Sequence, residues 1–196
     1  MEVPPSPVLS DALGKRYVLR GIRHIVGPVP ICGRAVTVLV EGTDWGTVVE
    51  AIDEAEEGDV LVIQARDRAR AYWGGLSSLS AKRKGLAGTV VDGLVRDVDD
   101  VREIGYTVFA RGVTPRAGTH RRSGKINVDL YVSGVLVRPG DIIVGDESGV
   151  VVVPEEEWED ALKRAREILE LEDDIRTDIA ANRAWWEIVP DKLGGW

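Results

Sequence analysis

Between residues 35 and 104 the chain alternates β-branched runs with amphipathic segments, and that alternation limits the fold more than any other feature. The run AVTVLV at 35–40 follows the turn-like GPVPICGR and reads as a buried strand. From Trp45 to about Ala55, helical spacing gathers Trp45, Val48, Val49 and Ile52 on one face, with Thr43 or Asp44 available as the N-cap. The Gly58-Asp59 turn leads into a strand over 60–64, which completes a βαβ unit. Gly74-Gly75 then opens a helix that runs to about Lys84 and ends at Gly85. A strand over 89–91 and a helix over 98–104 follow, so the pattern predicts parallel strands joined by crossover helices.

After Gly105 the pattern becomes a series of short strand candidates at 107–110, 126–132, 135–137, 142–144 and 150–153. Ser133-Gly134 and Pro139-Gly140-Asp141 are the clearest turns among them. A parallel α/β part followed by a largely β part predicts an α/β fold with two sheets and helices on one outer face. At 196 residues with no low-complexity linker, one domain over 1–196 is expected. Prolines early in the chain predict an extended arm over about 1–14 leading into a short helix near 10–14. Pro154 and Glu155, Glu156 and Glu157 suit the start of the last helix, within a C-terminal helical segment of about 155–187. Its apolar stripe runs Trp158, Leu162, Ala165, Leu169, and the next position in that series is Glu172, a carboxylate where an apolar residue was due.

A net charge of −8 argues against a binder of nucleic-acid backbones, which need clustered Lys and Arg. Cys32 is the only cysteine, so neither an internal disulfide nor a Cys-rich zinc framework can form. No signal-like segment and no apolar run long enough for a membrane span occurs, and a cytoplasmic protein is expected. Trp185, Trp186 and Trp196 near the C-terminus suggest packing against a neighbouring subunit.

Chemistry concentrates between Trp73 and Asp97. Gly74, Gly75, Leu76 and Ser77 open a helix, so several backbone N–H groups are available to hold a carboxylate or phosphate. The stretch matches neither the P-loop nor the dinucleotide fingerprint. Asp92-Gly93-Leu94-Val95-Arg96-Asp97 leaves a strand and enters a helix, the edge at which open α/β sheets bind ligands. Asp97 has the competing role of a plain N-cap, and Arg96 that of its ion-pair partner. Lys82 and Lys84 read as a solvated helix face rather than imine-forming lysines. His24 and His120 read as structural or surface residues, although His120, with Arg116, Arg121 and Arg122, lies in a basic loop over about 113–125 that could meet a distal substrate carboxylate.

The blocks GGLSSLSAKRKGLAGTVVDGLVRD, VFARGVTP and VRPGDIIVGDESGVVVVP, in this order, resemble the RraA-like proteins from about Gly33 to Asn182. That family includes metal-dependent 4-hydroxy-4-methyl-2-oxoglutarate aldolases and oxaloacetate decarboxylases as well as regulators that bind a ribonuclease. The resemblance implies a swivelling β/β/α fold and a trimer, or a dimer of trimers, with sites between subunits. It implies a lyase that acts on a small 2-oxo acid through a pyruvate enolate, using Mg²⁺ or Mn²⁺. Arg96 falls on the family's substrate-gripping arginine, Asp97 on its metal-binding aspartate, and Gly74, Gly75, Leu76 and Ser77 on its carboxylate-binding loop. Glu172, in EDDIR, falls on a glutamate that meets the metal through water from a neighbouring subunit. Many relatives carry an acid where this chain has Gly75, which places the proton route of aldol cleavage in question. A regulator without catalysis is the alternative, and the Arg96-Asp97 pair favours the enzyme.

Overall fold

The structure is a computed structural model that describes residues 3–194. It contains α1 (Ser6–Ala12), β1 (Arg23–Val26), β2 (Ile31–Val40), α2 (Gly46–Glu54), β3 (Val60–Ala65), β4 (Ala71–Trp73), α3 (Gly75–Lys84), β5 (Gly88–Val95), α4 (Val98–Ile104) and β6 (Val108–Val113). There follow β7 (Lys125–Ile126), β8 (Leu130–Val132), β9 (Val135–Val137), β10 (Ile142–Asp146), β11 (Gly149–Val153), α5 (Trp158–Ala180) and α6 (Trp185–Lys192).

The crossover helices force β2, β3, β5 and β6 to run parallel, as the alternation predicts. The expected second β layer is present, and β2 links it to the parallel strands. Its ten residues exceed the predicted run, because Ile31 to Arg34 pair antiparallel with β10 while Ala35 to Val40 pair parallel with β3. One sheet of nine strands results, in the order β1-β6-β5-β3-β2-β10-β11, with β4 added on β5 and β7 on β2. The β8–β9 hairpin stands apart as its own small sheet.

Side-chain alternation along these strands sorts the apolar residues into three packed layers. On one face Val38, Leu61, Ile63 and Val91 meet Val48, Ile52, Ala81 and Val101 of α2, α3 and α4. On the other face Val60, Val62, Val90 and Phe109 meet Leu130, Val132, Val135 and Val137 of the hairpin and Val150 and Val152 of β11. The β10–β11 ribbon is buried on both sides, since Val144, Val151 and Val153 face Leu9 of α1 and Ala161 and Ala165 of α5. Helices therefore cover both outer surfaces rather than one. Among the described residues no helix is long and apolar enough to cross a membrane.

Several local expectations shift for identifiable reasons. Helix α1 begins at Ser6 rather than near Ser10, because proline is tolerated in a first helical turn and Asp146 caps it, accepting from the Ser6 amide and hydroxyl at 2.7 Å each. The 126–132 run divides into β7 and β8 where Asn127 takes a left-handed φ of 54°. Strand β5 continues through Gly93 to Val95 instead of stopping at Val91. The strands β1 and β4 are too short for a period of two to be recognised in sequence.

The loop over residues 114–124 has little regular structure but is held firmly. Asp44, only 1% exposed, accepts hydrogen bonds from the Thr47 hydroxyl (2.7 Å) and from the amides of Gly46 (2.7 Å), Ser123 (2.8 Å) and Gly124 (3.2 Å). A Cβ on Gly46 would lie 2.0 Å from the Arg121 carbonyl oxygen, so a glycine must open α2 for the loop to approach. Burial pushes the Asp44 carboxyl up, but these four donors outweigh it and leave the group below the usual carboxylate range. Replacing Asp44 by Ala should cost about 3 kcal/mol, since buried donors lose their partner. The charge-dependent part of the wild-type contribution should be complete above about pH 4 and should be lost as pH falls through the lowered folded value. Urea melts of both proteins between pH 2 and 7 measure this; the stability gap between them should narrow at the acid end.

Candidate functional site

Parallel pairing of β4 with the end of β5 brings the two glycine-bearing segments together. Trp73 lies opposite Val95, and the Arg96 amide donates to the Trp73 carbonyl at 3.0 Å. Trp73 is 2% exposed and stacks on Tyr106 with ring centroids 5.9 Å apart. Its indole N–H donates to the Ser78 hydroxyl (2.7 Å), which donates to the Gly74 carbonyl (2.9 Å). The opening turn of α3 is thus tied to a buried aromatic, and its leading amides are held next to Arg96 and Asp97.

Asp97 does not act as an N-cap. It precedes α4 in a left-handed conformation (φ 55°, ψ 39°) and makes no side-chain hydrogen bond to that helix. Its carboxylate turns back instead, accepting from the Gly75 amide at 3.2 Å and from Arg96 Nε at 3.0 Å to each oxygen. Asp tolerates the left-handed region better than most residues, and such backbone outliers gather at functional sites. Because only Nε of Arg96 is engaged, both terminal guanidinium nitrogens remain without a partner among the described residues. A planar donor fork presented in this way suits a carboxylate or an enolate oxygen.

Gly74, Gly75, Leu76, Ser77, Arg96 and Asp97 all line one cleft of about 360 Å³, within the size range of small-molecule sites. The remaining wall comes from Trp45, Val49, Ile52, Ala71, Tyr72, Trp73, Ser80 and Ala117, of which only Trp73 and Ser80 fall in the stretch that the sequence singles out. The helical face of Trp45, Val49 and Ile52 was legible, but it read as core. Burial, and then the charge of Asp67, push the Tyr72 phenol up to about 12, and its hydroxyl donates to Gly42 and Asp67. An adjoining hollow shares Gly75, Leu76, Arg96 and Asp97 and adds Asp100 and Glu103.

Other candidates lie elsewhere. Asp92, 3% exposed, is held by Arg68 (2.8 Å) and Arg111 and does not line the cleft. Lys82 and Lys84 donate to the carbonyls of Ile104 and Asp53 near the ends of α4 and α2, as basic groups at helix C-termini do. His24 bridges Glu147 (3.1 Å) and the Gly27 carbonyl (3.0 Å), a structural role. In the basic loop Arg122 pairs with Glu50 and His120 lies 5.9 Å from the Trp45 ring; Ala117, rather than any of its charged side chains, enters the cleft wall. Glu172 sits on α5, paired with Arg176 at 2.8 Å, and is not part of the cleft of its own chain. Trp185 and Trp186 are 54% and 68% exposed, while Trp196 lies outside the described residues.

Asp97 is the only carboxylate on the cleft, and among the described residues no group of three or more metal-binding side chains converges. That donor set is too sparse for a structural zinc site. It fits Mg²⁺ or Mn²⁺, hard ions that are held by one or two carboxylates and keep several waters.

A sequence model of the family described as RraA-like, Aldolase/RraA, matches residues 6–152. An uncharacterised protein of Methanocaldococcus jannaschii is 42% identical over 176 residues, covering 88% of this chain and 84% of that one. A 4-hydroxy-4-methyl-2-oxoglutarate aldolase of Thermus thermophilus is 35% identical over 130 residues, covering 66% of this chain and 79% of its own. Among solved structures, an uncharacterised protein of Pseudomonas syringae superposes with a TM-score of 0.84 at 29% identity, covering 94% of this chain and 92% of that chain. The RNA-processing inhibitor RraA of Thermus thermophilus superposes with a TM-score of 0.71 at 32% identity, covering 79% and 94%.

Gly75 is explained by its surroundings. A Cβ there would lie 3.2 Å from Asp100 Cβ, 3.3 Å from Asp100 Oδ2 and 3.6 Å from Asp97 Cβ, so α4 already fills the space. An acid at this position would add a third negative charge next to two others. Gly75→Asp and Asp100→Gly should therefore be coupled, the double variant being about 1 kcal/mol more stable than the sum of the two single changes gives. Chemical denaturation of the two single variants and the double variant measures the coupling; strict additivity would refute the crowding.

Proposed function

The chain belongs to the RraA-like family, and from that premise we propose that it is a divalent-metal-dependent lyase that cleaves a carbon–carbon bond in a 2-oxo acid. One observation supports this reading most: an arginine with two unengaged donors, an aspartate pulled into a left-handed turn and the first amides of a helix meet in one cleft.

The chemistry follows from charge. Breaking the C3–C4 bond of a 2-oxo acid leaves its electron pair as the enolate of pyruvate, and catalysis consists largely of stabilising that oxygen as it becomes negative. The amides of Leu76 and Ser77 receive the substrate carboxylate, where the α3 dipole favours an anion. The terminal nitrogens of Arg96 anchor the 2-oxo group and supply fixed positive charge to the developing enolate. Asp97, held by Gly75 and Arg96, would hold Mg²⁺ or Mn²⁺ with waters completing the shell. When bound, the ion supplies Lewis-acid charge stabilisation at the keto oxygen. Assembly as a trimer or dimer of trimers, with Glu172 of the partner subunit meeting the ion through water, belongs to the same proposal. A regulatory role is the second reading, favoured by the fold shared with the Thermus RNA-processing inhibitor.

Pyruvate release from oxaloacetate, 4-hydroxy-4-methyl-2-oxoglutarate and 4-hydroxy-2-oxopentanoate, followed after chelation and after adding back Mg²⁺ or Mn²⁺, tests the proposal. Activity should disappear with the metal and return with it. Asp97→Ala should keep its fold by circular dichroism and lose turnover, and Arg96→Lys should lose about 10²–10³-fold in kcat. A folded Asp97→Ala protein that still turns over, or a wild type inert on every substrate, would refute it.

A further inference from the structure

Asp97 lies directly on the backbone of the glycine pair. A Cβ on Gly74 would stand 2.6 Å from Asp97 Oδ2 and 3.0 Å from Arg96 Cγ, so no side chain fits there while the carboxylate keeps its place. Gly74 is extended (φ −167°, ψ −163°) and Gly75 begins α3, so the peptide between them joins two residues that have no Cβ to restrain it. Its N–H nevertheless needs a fixed direction, because it donates to Asp97 Oδ2 at 3.2 Å. Apart from this bond, the carboxylate is held by Arg96 Nε, at 3.0 Å to each oxygen.

The restraint comes from the other side of the same peptide. An indole N–H can only donate, so the Ser78 hydroxyl accepts from Trp73 Nε1 at 2.7 Å. The single hydroxyl proton is then left for the Gly74 carbonyl at 2.9 Å, which also accepts from the Ser78 amide at 3.0 Å. In a planar trans peptide the C=O and N–H point in opposite directions, so holding the Gly74 carbonyl toward Ser78 aims the Gly75 N–H at Asp97. Ser78 is 0% exposed, Trp73 is 2% exposed, and every residue of the relay belongs to one chain. The relay is therefore complete within a protomer, whatever a neighbouring copy adds to the cleft.

We propose that Ser78, oriented by Trp73, is a positioning residue for the Asp97 carboxylate. Ser78 does not line the cleft and acts only through the Gly74–Gly75 peptide. Without its hydroxyl the peptide gains freedom to rotate, the Gly75 N–H turns away, and Asp97 is left to Arg96. The consequence for a metal ion held by Asp97 rests on the lyase reading above, and the consequence for the Gly75 N–H does not.

The test uses the full-length protein in its native assembly, first without metal. Glycine labelled with ¹³C at its carbonyl and with ¹⁵N gives carbonyl-correlated amide signals only where one glycine follows another, and the sequence has two such pairs, 74–75 and 194–195. Asp97→Ala identifies the Gly75 signal and gives its position when the carboxylate acceptor is gone. Bonded to that carboxylate in the wild type, the Gly75 proton should lie downfield. Ser78→Ala should move it most of the way to the Asp97→Ala position and weaken Mn²⁺ binding, titrated by electron paramagnetic resonance, about ten-fold. Because Ser78→Ala leaves the buried Trp73 N–H without an acceptor, the Trp73→Phe/Ser78→Ala double variant, which removes donor and acceptor together, guards against loss of the fold and should show the same two changes. A serine with a merely structural role would lower the melting temperature and move neither readout. A Gly75 proton at its wild-type position in either folded variant, or a shifted proton with Mn²⁺ affinity unchanged, would overturn the proposal. A shifted proton in a protein whose wild type binds no Mn²⁺ overturns the metal reading of Asp97 and leaves the positioning of its carboxylate by Ser78 standing.

Discussion

The short parallel pairing of β4 against the last residues of β5 is the contact on which the site depends. Through it the Arg96 amide bonds the Trp73 carbonyl, and the residues on either side of that bond are the helix-opening glycines and the Arg-Asp pair. Segments that enter the sheet more than twenty residues apart are thereby brought within hydrogen-bond distance, as the 3.2 Å contact from the Gly75 amide to Asp97 shows. The Trp73–Ser78–Gly74 relay then ties the opening of α3 to the buried indole, which fixes its leading amides beside Arg96 and Asp97.

Around this contact the protein separates rigidity from recognition. Core packing on both faces of the sheet is apolar and complete, and the polar groups buried among it are satisfied: among the described residues no buried side-chain nitrogen or oxygen lacks a partner. Asp44 is the clearest case, a carboxylate whose hydrogen bonds hold the end of an irregular loop, while the same loop brings Ala117 to the cleft by pairing with Ala71. Arg96 is the opposite case. Only its Nε is engaged, in the ion pair with Asp97, and its terminal nitrogens, on a part-buried side chain that lines the cleft, have no partner among the described residues.

Much of the candidate site was legible from residue types and spacing. Gly74 to Ser77 as a helix opening, and Arg96 and Asp97 at a strand-to-helix junction, follow from local preferences that act over a few residues, and all of these line the same cleft. Glu172 was singled out by a break in a helical stripe, a signal that shows an anomaly without showing what it faces. The wall of Trp45, Val49, Ile52 and Ala117 was not legible as a site, because an apolar helical face looks the same whether it meets the core or an open cleft.

The sequence by itself determined the parallel α/β order, the crossover helices and the glycine turn that opens α3, because alternation, caps and glycine turns express forces between near neighbours. Only the tertiary structure decided that β2 joins both halves in one sheet, that Asp97 faces Gly75 instead of capping α4, and that the basic loop presents Ala117 rather than its charges to the cleft. Each of these depends on pairing between distant segments, whose register is set by the packing of the whole sheet.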